Sequence, residues 1–320
     1  MGSNRRRAGF AACRIMVEIV VREGTGSSAD ARLEAGWGNF GGCSLWWTDT
    51  PALAGERIGV IGEYSAGDPD FSRQLLDRAC QWLADRGCAA AVGPMDGSTW
   101  KKYRFITERG EQPLFFLEPS NPPAYPTYFQ AAGFKVLASY TSAITSGLEL
   151  QDARVERVEK RLLREGFRIR ALDLGRFEQE LHVLYEVSVA AFASNFLYKP
   201  ISEEEFSALY QPIRNYIRPE LVLFAERDGE TAAFLFAIPD PGSRNFIIKT
   251  LAAHPRFAGR GLGTVLIQHA NRAAWAAGYK GAIHALMHEE NQSTRISARQ
   301  AQVFRRYSLF ARRLSDAQTA

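Results

Sequence analysis

The sequence contains few cysteines, and their spacing excludes the common cysteine-based sites. Its 320 residues include four, Cys13, Cys43, Cys80 and Cys88, which form no CxxC pair and no Cys/His metal-binding pattern. We therefore expect reduced thiols, no zinc site and no other metal centre, as is usual in a cytoplasmic protein.

Long apolar runs and a strong charge bias are also lacking. No stretch approaches the roughly 18 consecutive apolar residues of a membrane-spanning helix, so no membrane span is expected. Arg14 and Glu18 interrupt residues 8–21, whose alternating pattern favours a half-buried strand over a signal peptide. The net charge is only +4 and the charges are interspersed, so the sequence predicts no nucleic-acid partner.

A glycine-rich stretch, Arg256–Gly263, is the most informative feature that is present. It lies between an apolar run, Phe246–Ala253, and an amphipathic helix that begins near Thr264. Glycines let the backbone approach a ligand, and the first turn of a helix offers unpaired N–H groups with a positive partial charge. This order of strand, glycine turn and helix predicts a phosphate site. A dinucleotide-binding turn is excluded because Thr264 stands in place of its third glycine, and no Gly-Lys-Ser/Thr of a P-loop follows.

Arg256, Gly259 and Gly261 match the pattern R/Q-x-x-G-x-G/A, and the stretch resembles motif A of the GNAT N-acetyltransferases. The resemblance extends over about residues 165–314. Its flanking elements are predicted as a strand at Phe167–Leu174, helices at Phe177–Phe192 and Glu203–Tyr216, a hairpin of Leu221–Ala225 and Thr231–Ile238, and a strand at Gly281–Met287.

The resemblance implies a binding site for acetyl-coenzyme A as cosubstrate. In this family the amides of the turn hold the pyrophosphate, and the backbone of the preceding strand pairs with the pantetheine arm. The implied coenzyme-binding residues are Leu251, Ala253, Arg256, Ala258, Gly259, Arg260, Gly261, Leu262, Gly263, Thr264 and Asn291. The expected acceptor is an amine of a small molecule or a peptide.

The residues that move protons are less clear, because the sequence departs from the family pattern. Many members carry a tyrosine seven residues after the asparagine, where this chain has Ala298. Tyr307, on the predicted last strand, is one substitute for the general acid. His284, His288 and Glu290 are an even number of residues apart, so their side chains would lie on the same face of the strand. His288 or Glu290 is a candidate proton relay if that face lines the cleft. A histidine on a strand is also commonly a structural residue.

The first half of the chain repeats the order of strand, helix and strand. The pattern predicts a strand at Arg57–Gly62, a helix at Asp70–Arg86 and a strand at Cys88–Val92, with closing strands at Phe115–Leu117 and Lys135–Tyr140. At the turn before the helix, Asp68 and Asp70 would repel a pyrophosphate and Pro69 lacks an N–H donor, although Asp68 and Pro69 suit a helix cap. We therefore predict a degenerate copy that binds no coenzyme.

The resemblance thus implies an α/β (α+β) protein with two acetyltransferase-like (GNAT) domains, each a mixed, mainly antiparallel sheet flanked by helices. Residues 1–150 would form the degenerate domain and residues 151–320 the coenzyme-binding domain, joined by a helix around Val155–Leu163. Loops at Gly93–Trp100 and Glu118–Pro123 are candidates for lining an acceptor pocket, although turn chemistry alone also accounts for them.

Two functions remain open at this point. The first is an N-acetyltransferase, monomeric or weakly dimeric, whose first half shapes the acceptor cleft. The second is a catalytically weak acyl-coenzyme A sensor that presents its other copy to a partner protein.

Overall fold

A computed structural model describes residues 17–24, 28–36, 40–150, 152–289 and 301–314. The strands of this part of the chain are β1 (Ile19–Glu23), β2 (Ala31–Ala35), β3 (Gly41–Trp46), β4 (Ala52–Leu53), β5 (Glu56–Ala66), β6 (Ala90–Gly93), β7 (Phe105–Glu108), β8 (Lys135–Ser146), β9 (Arg168–Ala171), β10 (Val222–Arg227), β11 (Glu230–Pro239), β12 (Asn245–Ala253), β13 (Gly281–His288) and β14 (Gln302–Arg313). The α-helices are α1 (Pro69–Ala84), α2 (Tyr125–Ala131), α3 (Ala153–Arg164), α4 (Phe177–Phe192), α5 (Glu203–Tyr210) and α6 (Leu262–Ala276).

The strands form one continuous sheet in the order β1-β2-β3-β5-β6-β14-β8-β13-β12-β11-β10-β9, with β4 paired to β5 and β7 to β14. Two of the described strand pairs are parallel, β5 with β6 and β12 with β13. Helix α1 connects the first pair and α6 the second, as a parallel connection requires. The two halves therefore repeat one arrangement, and the predicted fold class is confirmed.

The halves exchange their closing strands. Strand β14, the last of the described strands, pairs with β6 of the first half, while β8 of the first half pairs with β13. Strands β8 and β14 also pair with each other over most of their length, from Gln302 opposite Ile144 to Ala311 opposite Lys135. Each half thus completes its sheet with a strand from the other half, and the two cannot be separated without exposing strand edges.

Local sequence explains the helices that support the two parallel pairs. The Asp68 side chain accepts a hydrogen bond from the Phe71 N–H at 2.8 Å, with Pro69 at the first helical position, so the predicted cap of α1 is confirmed. Helix α6 buries one apolar stripe against the sheet, formed by Leu262, Val265, Leu266, Ala270 and Ala274. Among the described residues, no helix has the length and apolar character needed to cross a bilayer.

Two predicted elements differ from the structure. Phe115–Leu117 is not a strand, because the Phe115 N–H donates to the Glu118 carboxylate at 3.1 Å and forms a local turn. The helix predicted at Glu203–Tyr216 remains α-helical only to Tyr210 and continues as a 3₁₀ helix over Gln211–Tyr216. Pro212 accounts for this change, since it has no N–H for the α-helical ladder.

Candidate active site

A cavity opens where two neighbouring strands of the second half diverge. Strands β12 and β13 pair from Asn245 opposite Gly281 to Ile248 opposite His284, and no further pair follows among their described residues. On the other side of β12, the register with β11 shifts between Thr250 and Ile248, so Lys249 is the extra residue of a β-bulge. Bulges commonly redirect side chains next to active sites.

The cavity has a volume of about 770 Å³, within the range of small-molecule sites. Both halves of the chain contribute to its wall. The two predicted loops do so through Thr99, Trp100, Glu118 and Pro119, so this part of the acceptor-pocket expectation agrees with the geometry. The adjoining residues Lys101–Arg104 and Leu117 also line the cavity. The aromatic lining residues are Trp100, Tyr103, Tyr140, Phe192, Phe196, Tyr198 and Tyr210.

Backbone strain is concentrated around this cavity. Seven described non-glycine residues have positive φ, and three of them line the cavity: Arg104 (φ 74°), Leu117 (φ 63°) and Leu286 (φ 58°). A fourth, Leu197 (φ 53°), lies between the lining residues Phe196 and Tyr198. Such conformations cost about 1–3 kcal/mol each and are typical of functional sites.

The predicted phosphate turn follows the far end of β12. The chain passes through a short 3₁₀ helix, Pro255–Phe257, and then through Gly259 (φ 76°) and Gly261 (φ 86°) before α6 begins. No described side chain caps the N-terminus of α6, so its first amides are open to an anion. The turn and the cavity are connected by Leu251, which lines the cavity and lies beside Gly263 in the first turn of α6.

Both arginines of the turn have carboxylate partners. Arg256 Nη1 lies 2.8 Å from Glu230 Oε1, and Arg260 Nη1 lies 3.2 Å from Glu165 Oε2. These side chains are half-exposed, and such pairs contribute about 0–1 kcal/mol, so a bound phosphate can replace the carboxylates at little cost.

The connecting helix α3 packs directly against this turn. A Cβ at Gly261 would lie 2.8 Å from Val158 Cγ1, and Arg161 Nη2 donates to the Arg260 carbonyl at 2.5 Å. On the next turns, Glu159 accepts from Arg272 of α6 at 3.0 Å. The conformation of the glycine turn is therefore held by α3 on one side.

Of the predicted catalytic residues, His288 lies on the cavity wall at the end of β13. Its ring meets the Tyr140 ring edge-on, with 4.9 Å between centroids. His284 also lines the cavity, where its Nε2 lies 3.2 Å from Thr145 Oγ1 and burial lowers its pKa to about 4, so it is neutral at physiological pH. Glu290 and Asn291 lie outside the described residues.

Tyr307 occupies a buried network instead of the cavity wall. Its side chain is 0% exposed, and its hydroxyl lies 2.9 Å from Ser142 Oγ and donates to the Glu118 carboxylate. Glu118 also pairs with Arg305 at 2.7 Å. Burial raises the pKa of Tyr307 and, in the same network, that of Glu118. This geometry suits a structural bond between a first-half loop and β14, and a catalytic role for Tyr307 stays a prediction.

Sequence reasoning missed two cations that face the cavity. Lys249 occupies the bulge of β12, where desolvation and the neighbouring Arg104 lower its pKa to about 8. The Arg104 guanidinium carbon lies 3.6 Å from the centroid of the Tyr103 ring and 4.0 Å from that of the Tyr140 ring. Neither residue stands in a recognisable motif. The one available signal was a lysine within the otherwise apolar run Phe246–Ala253.

Comparison with known proteins finds a family match within the second half. Residues 184–296 match the model of the acetyltransferase (GNAT) family. Over 191 residues the chain is 29% identical to a protein of Caulobacter vibrioides named bacterial ceramide synthase, covering 58% of this chain and 49% of that protein. Over 190 residues it is 22% identical to protein YghO of Escherichia coli, covering 58% and 48%. The chain thus spans about half the length of these relatives.

The fold of nearly the whole chain also occurs among solved structures. A GCN5-related N-acetyltransferase from Sphaerobacter thermophilus superposes with a TM-score of 0.52, covering 89% of this chain and 80% of that one. The sequence identity is 13%, so the likeness shows the fold alone.

Proposed function

Residues 184–296 match the model of the acetyltransferase (GNAT) family, and on that premise we propose that this chain transfers an acyl group from an acyl-coenzyme A to an amine. One observation carries the proposal: β12 connects an uncapped glycine turn at one end with a cavity of about 770 Å³ beside its bulge. A coenzyme whose phosphates lie on the turn would therefore extend its thioester along β12 toward the cavity.

The proposed coenzyme site is a single continuous segment. The amides of Gly261–Thr264 would bind the pyrophosphate, with Arg256 and Arg260 adding charge. Beyond Ile248 the β12 edge has no described ladder partner on the β13 side, so its amides and carbonyls are available to the pantetheine arm. Leu251 and Ala253 lie on this stretch, as the resemblance implies.

The reaction needs no residue to form a covalent bond with substrate. The neutral amine attacks the thioester carbonyl, a C–N bond forms, the C–S bond breaks, and the thiolate takes up a proton while the amine loses one. We assign proton transfer to His288, since it is a predicted candidate that lies on the cavity wall. Glu290 stays a second candidate on sequence grounds.

The acyl group is proposed to be longer than acetyl. An acetyl group and a small amine would leave most of the cavity unfilled, and seven aromatic side chains contribute to its wall. The name of the Caulobacter vibrioides relative, bacterial ceramide synthase, agrees with a longer chain. Acetyl-coenzyme A, the donor implied by the resemblance, is then the short-chain donor against which longer acyl-coenzyme A donors are compared.

We propose one coenzyme per chain, bound within residues 151–320, with the 1–150 region as the degenerate copy. The α1 terminus supports this division, because the Asp68 carboxylate already accepts from the Phe71 amide that a phosphate would need. No equivalent side chain caps α6 in the described structure.

The test is release of free thiol from acetyl- and dodecanoyl-coenzyme A across a panel of primary amines. The proposal predicts amine-dependent release that is faster with the dodecanoyl donor, and an amide product of matching mass. Measurable coenzyme binding without release for any amine would instead support the sensor function.

A further inference from the structure

Lys249 and Arg104 place two cationic groups inside one cavity without a described counterion. Arg104 is only 7% exposed, and Lys249 is half-buried on the β12 bulge. Among the described residues, no carboxylate oxygen lies within 4.0 Å of either side chain. Unpaired charges removed from water are costly, so a cavity lined by two of them favours an anionic ligand.

The acidic residue of the cavity wall does not serve as that counterion. Among the described lining residues Glu118 is the only carboxylate, and its side chain is 0% exposed. Its oxygens are taken by Arg305 at 2.7 Å, the Tyr307 hydroxyl and the Phe115 amide at 3.1 Å. The cavity therefore presents a net positive field to whatever enters it.

Arg104 is held in a fixed orientation before any ligand arrives. Its Nη1 donates to the Leu286 carbonyl at 3.0 Å and its Nε to the Tyr103 carbonyl at 3.2 Å, and the Tyr103 and Tyr140 rings, which lie edge-on to each other, both contact it. The remaining nitrogen, Nη2, has no hydrogen-bond acceptor among the described residues. A preorganised guanidinium loses little entropy when it binds a carboxylate or a phosphate.

We infer that the acceptor amine carries an anionic group, a carboxylate or a phosphate monoester, that binds between Lys249 and Arg104. The inference rests on the proposed function for the amine, whereas the anion site itself stands on the cavity geometry. The coenzyme phosphates are not this anion, because the glycine turn with Arg256 and Arg260 is reserved for them. The amine end of such an acceptor would point toward the thioester, with its anionic group fixed behind it.

The experiment measures binding of three product mimics to the full chain by calorimetry, below their micellar concentrations. N-dodecanoylglycine carries a carboxylate, N-dodecanoylphosphoethanolamine carries a phosphate monoester, and N-dodecanoylethanolamine is neutral. We expect at least one anionic mimic to bind about ten-fold or more tightly than the neutral one, as a charge-assisted hydrogen bond implies. The anion that binds better identifies which of the two classes the acceptor belongs to.

The variant Lys249→Gln should lose most of this preference, while Lys135→Gln, which removes an exposed lysine outside the cavity, should retain it. Equal binding of neutral and anionic mimics by the unaltered protein would overturn the inference, whether or not the variants fold. The inference would also be overturned if Lys249→Gln still bound the anionic mimics more tightly than the neutral one but turned over every amine more slowly. Lys249 would then act on the reacting atoms. Mimic binding does not require catalysis, so a failure of turnover alone would contradict only the proposed function.

Discussion

Replacement of Gly259 by alanine tests the phosphate turn with a matched control. Gly259 has φ 76° and a Cβ there would meet no atom within 4 Å, so the side chain would project into the space that a phosphate approaches. Gly229, in the β10–β11 hairpin turn, has φ 82° and equally open surroundings. Both substitutions therefore impose the same left-handed backbone on alanine, and only one lies at the proposed site. Gly261 is less suitable, because its Cβ would contact Val158 of α3 and disturb packing as well.

The expected magnitudes separate folding from binding. Each alanine should lower the free energy of unfolding by about 1–2 kcal/mol, the cost of a left-handed conformation for a residue with a Cβ. At Gly259 the methyl group should also displace the pyrophosphate from at least one amide. A charge-assisted hydrogen bond is worth about 1.5–3 kcal/mol, so the dissociation constant should rise about ten- to hundred-fold.

The assay is calorimetric titration of both variants with coenzyme A, with thermal melting to check their stability. We expect similar losses of stability and a loss of affinity confined to Gly259→Ala. If Gly259→Ala binds coenzyme A as well as Gly229→Ala does, the glycine turn is not the phosphate site.

Further outcomes are expected from individual side chains. Arg260→Ala should weaken coenzyme A binding, and the loss should be smaller at high salt, whereas Glu165→Gln should strengthen binding because it removes the competing carboxylate. Titrations at two salt concentrations check both variants, and unchanged affinities would contradict the role of Arg260. Because Lys249 is a cation below its pKa of about 8 and neutral above it, binding of N-dodecanoylglycine should weaken as the pH rises through this value. The NMR chemical shift of the methylated lysine should change over the same pH range. Tyr307→Phe should lower the free energy of unfolding by about 1–3 kcal/mol, because the buried Glu118 carboxylate loses the hydrogen bond from the tyrosine hydroxyl, and kcat should change little. A large fall in kcat at unchanged stability would instead support Tyr307 as the general acid.

Elements specified by local sequence were predictable. Helix α4 has the predicted bounds, Phe177–Phe192, and the cap of α1 at Asp68 is confirmed, because periodicity and capping act within a few residues. The order of strand, glycine turn and helix around Gly259 follows from the same kind of signal. These elements position the proposed coenzyme site, so the local structure on which that proposal rests could be predicted from the sequence.

The exchange of closing strands could not be predicted in this way. Strand partners are chosen by long-range packing, and nothing in the local pattern of residues 302–313 says that they pair with β6 in the first half. The consequence is practical: a fragment from residue 152 onward would lack β8, the neighbour of both β13 and β14, so it is a poor test of the second half alone.

The two cations proposed to bind the acceptor could not be predicted for a related reason. Lys249 faces the cavity only because a register shift in β12 makes it a bulge residue, and Arg104 reaches it from a loop almost 150 positions earlier in the chain. Sequence patterns report periodicity within an element and not where two strands diverge. The aromatic lining residues are likewise scattered singly along the sequence, so no local pattern indicates that they meet.

The most direct test of the account is photocrosslinking with an acyl-coenzyme A that carries a diazirine in the middle of a dodecanoyl chain. If the coenzyme lies on the glycine turn and its acyl group enters the cavity, the label should appear on lining residues of both halves, such as Trp100 and Phe192, and excess coenzyme A should suppress it. Labelling confined to residues outside the cavity, or unaffected by coenzyme A, would contradict the proposed site.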